Sequence, residues 1–218
     1  MGVGRWGSNW WKMKILNLYA GIGGNRKLWG DDHEITAVEI DPKIAAIYSD
    51  FYPNDQMVVG DAHQYLEDHF TEFDFIWSSP PCQSHSNMRQ NLRVRFNGSK
   101  PMFADMRLYQ EILLLMYNFK GKWVVENVIP YYAPLIKPTT KLQRHLFWCN
   151  YHIREKWFQK EVLRDSQIPQ LSAIHGVNLD AYKLSNKRQV LRNAILPELG
   201  LHVFEHAQFD LPSDLRLC

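Results

Sequence analysis

The residues best suited to chemistry are a cysteine between two prolines and a glutamine, Ser79-Pro80-Pro81-Cys82-Gln83, and an acid followed by an amide, Glu126-Asn127-Val128. Each adjoins a short apolar run of the kind that forms a buried strand. A thiol at the carboxyl end of one strand, with a carboxyl group at the end of another, gives a small electrophilic substrate both a nucleophile and a general acid. The bland alternatives are a small core cysteine and a structural ion pair. Prolines and glutamine are poor core neighbours, which favours a reactive Cys82. Asn127 reads as a brace for the Pro80-Pro81 turn beside the reacting pair.

A second set lies nearer the N-terminus. Leu18-Tyr19-Ala20-Gly21-Ile22-Gly23-Gly24 follows the first apolar run, and its glycines allow a sharp turn and close approach of backbone to a ligand. About twenty residues on, Glu39 in Val38-Glu39-Ile40-Asp41 stands where an acid commonly takes ribose hydroxyls. Asp61 in Val59-Gly60-Asp61-Ala62 can accept from an adenine amine, or simply cap the next helix. Such features after three successive strands point to a nucleoside ligand along Tyr19, Gly21, Ile22, Gly23, Glu39, Ile40, Asp61 and Ala62. His202 and His206 are four apart around Glu205, but the order is not His-Glu-x-x-His and no third ligand suggests itself, so no metal is expected.

These groups need a frame that brings strand ends together. Strands are predicted at 13–19, 34–39, 56–59, 73–77 and 122–126, with helices at 42–51, 62–69 and 104–118. The alternation reads as a doubly wound α/β sheet. A short strand pair is expected around 146–153, and helices at 185–195 and 198–206 close the chain. Residues 84–103, polar and rich in arginine and asparagine, read as a long mobile loop, a length usually kept for function. The opening 1–12, with Trp6, Trp10 and Trp11, reads as a tail.

Composition narrows the class. A chain of 218 residues with 45% hydrophobic and 22% charged residues is one globular domain. No apolar run approaches the ~20 residues that cross a bilayer, so no membrane partner is expected. The cysteines at 82, 149 and 218 form no CxxC pair, which suits free thiols in a reducing cytoplasm. Net charge is only +2, yet Lys43 is the sole Lys or Arg among the many acids between Asp31 and Asp74. Basic residues gather later, at Arg89, Arg93, Arg95, Lys100 and Arg107, then Lys137, Lys141 and Arg144, then Lys183, Lys187, Arg188 and Arg192. Such a split suits a cationic small ligand on one side and phosphates on the other.

In their order, the Tyr19–Gly24 turn, Pro81-Cys82-Gln83 and Glu126-Asn127-Val128 resemble the signatures of the cytosine-5 DNA methyltransferase family. Lys187-Arg188-Gln189-Val190-Leu191-Arg192-Asn193-Ala194 resembles the family's closing motif, and Leu171-Ser172-Ala173-Ile174-His175-Gly176 a remnant of the one before it. The resemblance implies a Rossmann-like methyltransferase fold and S-adenosylmethionine as cofactor, leaving S-adenosylhomocysteine. Pro81, Asn193 and Ala194 would join the nucleoside residues in holding it. It further implies that Cys82 adds to carbon 6 of a flipped-out cytosine while Glu126, its pKa raised by burial, serves N3. Nearby arginines would lower the Cys82 pKa. Arg144, in Gln143-Arg144-His145, would touch the base and its backbone, although the family's usual arginine pair is reduced here to one. Loop 84–103 would close over double-stranded DNA, with Ser84, Ser86, Arg89, Arg93 and Arg95 on phosphates.

The implied division is a tail at 1–12, a catalytic domain at 13–148, a vestigial target-recognition region at 149–170 and a segment at 171–218 that completes the catalytic domain. A partner chain, including a second copy in a homodimer, could supply what so short a recognition region lacks. Two other readings stand: the same chemistry on cytosine in RNA, and a non-catalytic DNA-binding protein with this fold. An amino-methyltransferase would carry Asp/Asn-Pro-Pro-Tyr/Phe where this chain has Ser79-Pro80-Pro81-Cys82.

Overall fold

A computed structural model describes residues 12–87, 102–158 and 166–209. Seven strands form one sheet in the order β3-β2-β1-β4-β5-β7-β6. They are β1 (Lys14–Leu18), β2 (Glu34–Glu39), β3 (Gln56–Val59), β4 (Phe75–Ser78), β5 (Lys122–Val128), β6 (Thr140–Leu142) and β7 (His145–Cys149). The first five run parallel, and β7 is antiparallel to both β5 and β6. Parallel strands buried on both faces read as continuous apolar runs, and Phe75–Ser78 is buried at every position.

Alternate residues feed opposite faces. Leu16, Ile76, Val125 and Trp148 pack under helices α2 (Ala62–His69) and α3 (Arg107–Asn118) through Leu66, Ile112 and Leu115. Ile15, Phe75, Trp77 and Phe147 meet the closing helix through Leu199, Val203 and Phe204. There Trp29, after a single 3-10 turn, stacks on Phe204 with ring centroids 4.8 Å apart. Helix α1 (Pro42–Phe51) packs Ile44 and Ile47 against Leu171 of α4 (Ile168–His175) and Leu191 of α5 (Lys187–Asn193). The closing helix is α6 (Pro197–Phe209).

Strands β2 and β3 and helices α1 and α2 have the bounds expected from sequence, because each begins or ends on a legible signal. Asp41 and Asp61 cap α1 and α2, accepting from the Lys43 and His63 amides at 2.8 and 2.9 Å. Helix α3 begins at Arg107 rather than 104, since the Asp105 amide is tied to the Ser84 hydroxyl at 2.9 Å. The strand pair also differs. It is a hairpin of β6 and β7 with Leu142 opposite His145, joined by Gln143 and Arg144 alone, and it starts before residue 146. Beyond it, Tyr151, Ile153 and Phe158 are buried in the core, while His152, Arg154, Glu155, Lys156 and Trp157 are exposed. The first part of the expected recognition region is therefore partly core, with inward and outward residues alternating from Cys149 to Arg154 and the next three exposed before Phe158 turns in.

Candidate active site

A cavity of about 340 Å3 opens at the carboxyl ends of β1, β2, β4 and β5, where the strand order reverses between β1 and β4. Small-molecule sites of doubly wound sheets sit at such a switch point, and this volume lies within their usual range. Gly21, Glu39 and Ile40 line one end and Cys82 and Glu126 the other. Asn193 and Ala194, from the far end of the chain, line the wall along with Gln189 and Asn186.

The first end is built on the turn after β1. Tyr19 and Gly21 have φ of +55°, and Gly23 has +76°, a region costly for most side chains. A Cβ on Gly23 would also lie 2.2 Å from the Tyr52 ring. Gly24 meets a different wall: a Cβ there would stand 2.5 Å from the Ile195 carbonyl oxygen. The Glu39 carboxylate accepts from the Gly21 amide at 3.0 Å and the Asp41 amide at 2.9 Å. It keeps lone pairs for further donors, since an ionised carboxylate has about four acceptor sites. Ile40 is 68% exposed and gives the same end an apolar edge.

Beneath this turn lies a polar cluster that sequence reading missed. Glu111 of α3 is fully buried. It accepts from the Tyr19 hydroxyl at 2.6 Å and the Ser78 hydroxyl at 2.5 Å, and His63 Nδ1 lies 2.9 Å away. The hydrogen bond to Glu111 raises the His63 pKa, and burial, then Glu111, pushes the Tyr19 hydroxyl well up. Glu111 thus pins the turn after β1 to the end of β4. The signal was an acid on the apolar face of a helix. Asp61 and Ala62 stand outside the cavity lining: Asp61 caps α2 and pairs with Arg107 at 3.3 Å, and Ala62 is buried.

At the other end, the Asn127 side-chain amide donates to the Pro80 carbonyl at 2.9 Å and its oxygen accepts from the Val128 amide. The His85 and Ser86 amides both donate to the Cys82 carbonyl at 3.0 Å. Cys82 is therefore presented on a turn braced from β5. Its pKa runs opposite to expectation: burial, then the Glu126 charge, raises it, and Arg144 opposes them more weakly. Glu126 is buried, with His145 Nδ1 2.5 Å from its Oε1.

Arg144 lines the cavity from the β6–β7 turn and donates to the Arg192 carbonyl at 3.1 Å. Gln143 before it holds φ of +52°, a strained conformation often stored at functional sites. Ser84 is buried and accepts from the Asp105 amide. Ser86 bridges to Pro130. Arg89, Arg93 and Arg95 lie outside the described residues. His202 Nε2 lies 2.9 Å from the Arg154 carbonyl and His206 Nδ1 2.7 Å from the His202 carbonyl, both structural contacts.

The chain is similar to several solved methyltransferases. The chain superposes on the methyltransferase EhMeth of Entamoeba histolytica with a TM-score of 0.50 at 12% identity, over 93% of this chain and 100% of that one. DNMT2 of Spodoptera frugiperda is 27% identical over 53% of this chain and 35% of its own, with a TM-score of 0.36. A SAM-dependent methyltransferase of Agrobacterium tumefaciens is 16% identical over 56% and 41%, at 0.38. No curated protein sequence matches the chain. The fold is thus that of the S-adenosylmethionine-dependent methyltransferases. The C-5 cytosine-specific DNA methylase family profile matches residues 13–129, and the chain belongs to that family. S-adenosylmethionine is its cofactor, and the cavity fits it in size, with a free-edged carboxylate and an apolar edge at the nucleoside end.

Proposed function

We propose that the protein methylates carbon 5 of a cytosine turned out of double-stranded DNA, with Cys82 as covalent nucleophile and Glu126 as the acid facing N3. The observation that carries this reading is the meeting of Cys82 and Glu126 in one cavity that runs on to Glu39. Bound S-adenosylmethionine supplies an electrophilic methyl group. Carbon 5 is too weak a nucleophile to take it unaided, so Cys82 Sγ adds to carbon 6 and pushes electron density into the ring. Glu126 offers a proton to N3 as charge builds there. Loss of the carbon 5 proton then expels Sγ. Asn127 holds the Pro80-Pro81 turn, and Arg144 at the mouth meets the base or its phosphate. A paired cytosine cannot reach a thiol at the bottom of this cavity, hence the flipped base.

DNA is favoured over RNA as substrate by the family itself. The test is covalent trapping with 5-fluorocytosine in duplex DNA and, in parallel, in RNA of the same sequence, each with S-adenosylmethionine. A denaturant-stable adduct on DNA, absent from Cys82→Ala, is expected. Adduct on RNA alone overturns the substrate, and none on either overturns the covalent mechanism. Bisulfite sequencing of DNA from expressing cells then gives the target.

A further inference from the structure

The hydrogen-bond partner of Glu126 has a role beyond filling the core. We propose that His145 is the positioning residue for Glu126: the two side chains share one proton, and the pair, not Glu126 alone, delivers it to N3 of the target base. This rests on the cytosine-5 reading above.

Register creates the pair. On the antiparallel β5–β7 ladder Glu126 faces Phe147 and Val128 faces His145. With a side-chain period of two, Glu126 and His145 are diagonal neighbours on one face of the sheet. There Nδ1 and Oε1 stand 2.5 Å apart, and both residues are buried yet line the cavity. A buried carboxyl needs a partner, and the choice of partner is informative. A permanent cation would hold Glu126 as a carboxylate with no proton to give. Arg144, next in the chain, is instead committed to the Arg192 carbonyl at the mouth. Glu126 receives an imidazole, a partner that can either donate or accept a hydrogen bond.

The proton balance is simple. The Cys82 thiol proton goes to solvent. As Sγ bonds to carbon 6, the carbon 5–carbon 6 π pair shifts into the ring and N3 takes the proton of the pair. Once carbon 5 has gained the methyl group, its hydrogen leaves as a proton to solvent, the C–H pair restores the carbon 5–carbon 6 double bond as Sγ departs as thiolate, and N3 returns its proton to Glu126. The cavity that Glu126 and His145 line is also lined by the Cys82 thiol from the turn after β4, Arg144 from the β6–β7 turn and Arg192 from α5, with Glu39 and Asp41 at the nucleoside end. While the pair holds the shared proton it can pass it to N3; a Glu126 stripped of that proton has none to give, and the rate falls.

The test is His145→Asn, which keeps a donor for Glu126 but cannot titrate, with His145→Gln as a second variant should the first lose thermal stability. Single-turnover methylation is followed against pH. The alkaline falling limb should move toward acid by about one pH unit, an order-of-magnitude loss at neutral pH, in the chemical step and not in KM. Cofactor affinity should hold. A second readout needs neither DNA nor cofactor: in the pH titration of Cys82 alkylation by iodoacetamide, the variant should react more slowly at the acid end, where the wild-type Glu126 shares the proton and the variant's carries a full negative charge beside the thiol. Wild-type behaviour in both the pH profile and the thiol titration overturns the shared proton. A wild-type protein that methylates neither DNA nor RNA, while the variant still shifts the thiol titration, overturns the cytosine-5 reading and leaves the shared proton standing.

Discussion

Replacing Glu39 separates the two tasks that the structure gives its carboxylate. It holds the Gly21 and Asp41 amides, and it faces the end of the cavity where the cofactor's ribose would lie. Loss of an ionised acceptor for bound hydroxyls costs about 1.5–3 kcal/mol, so Glu39→Ala should weaken S-adenosylmethionine about 10- to 150-fold. The same change frees two backbone donors at a half-exposed site, a cost of about 1 kcal/mol in apo stability, or roughly 2–4 °C in Tm for a chain of this size. Glu39→Gln keeps one oxygen and no charge, so it should fall between. Titration calorimetry reads the affinity and calorimetric melting of the apo protein reads the stability. Methyl transfer at saturating cofactor should be nearly unchanged, since Glu39 is remote from the reacting atoms. An affinity within threefold of wild type for Glu39→Ala would refute the assignment, and a fall in stability alone would leave Glu39 as a mere backbone clamp.

Other outcomes follow from the same geometry. Burial and Glu126 raise the Cys82 pKa, so less thiolate exists at a given pH. Alkylation by iodoacetamide at about pH 8 should be slower than for free cysteine, and Glu126→Gln should speed it; a slower variant would contradict the charge coupling. Gly24→Ala drives a Cβ into the Ile195 carbonyl and should cost about 1–3 kcal/mol by urea denaturation, with weaker cofactor binding; a neutral change would show that the two segments slide freely. Neutralising Arg89, Arg93 and Arg95 together should reduce the slope of log affinity for DNA against log salt by up to about 2.7, alike for all sequences. An unchanged slope in filter binding would remove them from the phosphate contacts.

What the sequence disclosed was whatever local rules dictate. Apolar runs, Asp61 as a cap, and the glycine turn sufficed for the parallel strands and their helices, and strand ends brought Cys82, Glu126 and Glu39 to one side. The misses depend on pairing. The β6–β7 turn carries Gln143 and Arg144 with no glycine or asparagine to mark it, so the strand pair was expected around 146–153 instead of β6 and β7 at 140–149, and His145 was left out of the site. Asp61 could be a ligand or a cap from sequence alone, and its capping of α2 and pairing with Arg107 show in the structure. Glu111 needed α3 to be laid across β1 and β4 before its burial showed. The direction of the Cys82 shift depended on burial and on Glu126 from another strand, neither of which shows in the local sequence.

The seam between Gly24 and Ile195 has a consequence for the life of the chain. The cavity takes one wall from residues 19–44 and another from residues 186–195, so a ribosome must make most of the polypeptide before the second wall exists. A nascent chain carrying the glycine turn, Glu39 and even Cys82 is still an open cleft. Closing it is a contact between segments far apart in sequence, a slow kind of event in folding. Once it closes, occupancy by the cofactor stabilises the whole molecule by mass action and not only one lobe. Cofactor capture therefore reports completed folding, and a reactive thiol meets its methyl donor only in a finished protein.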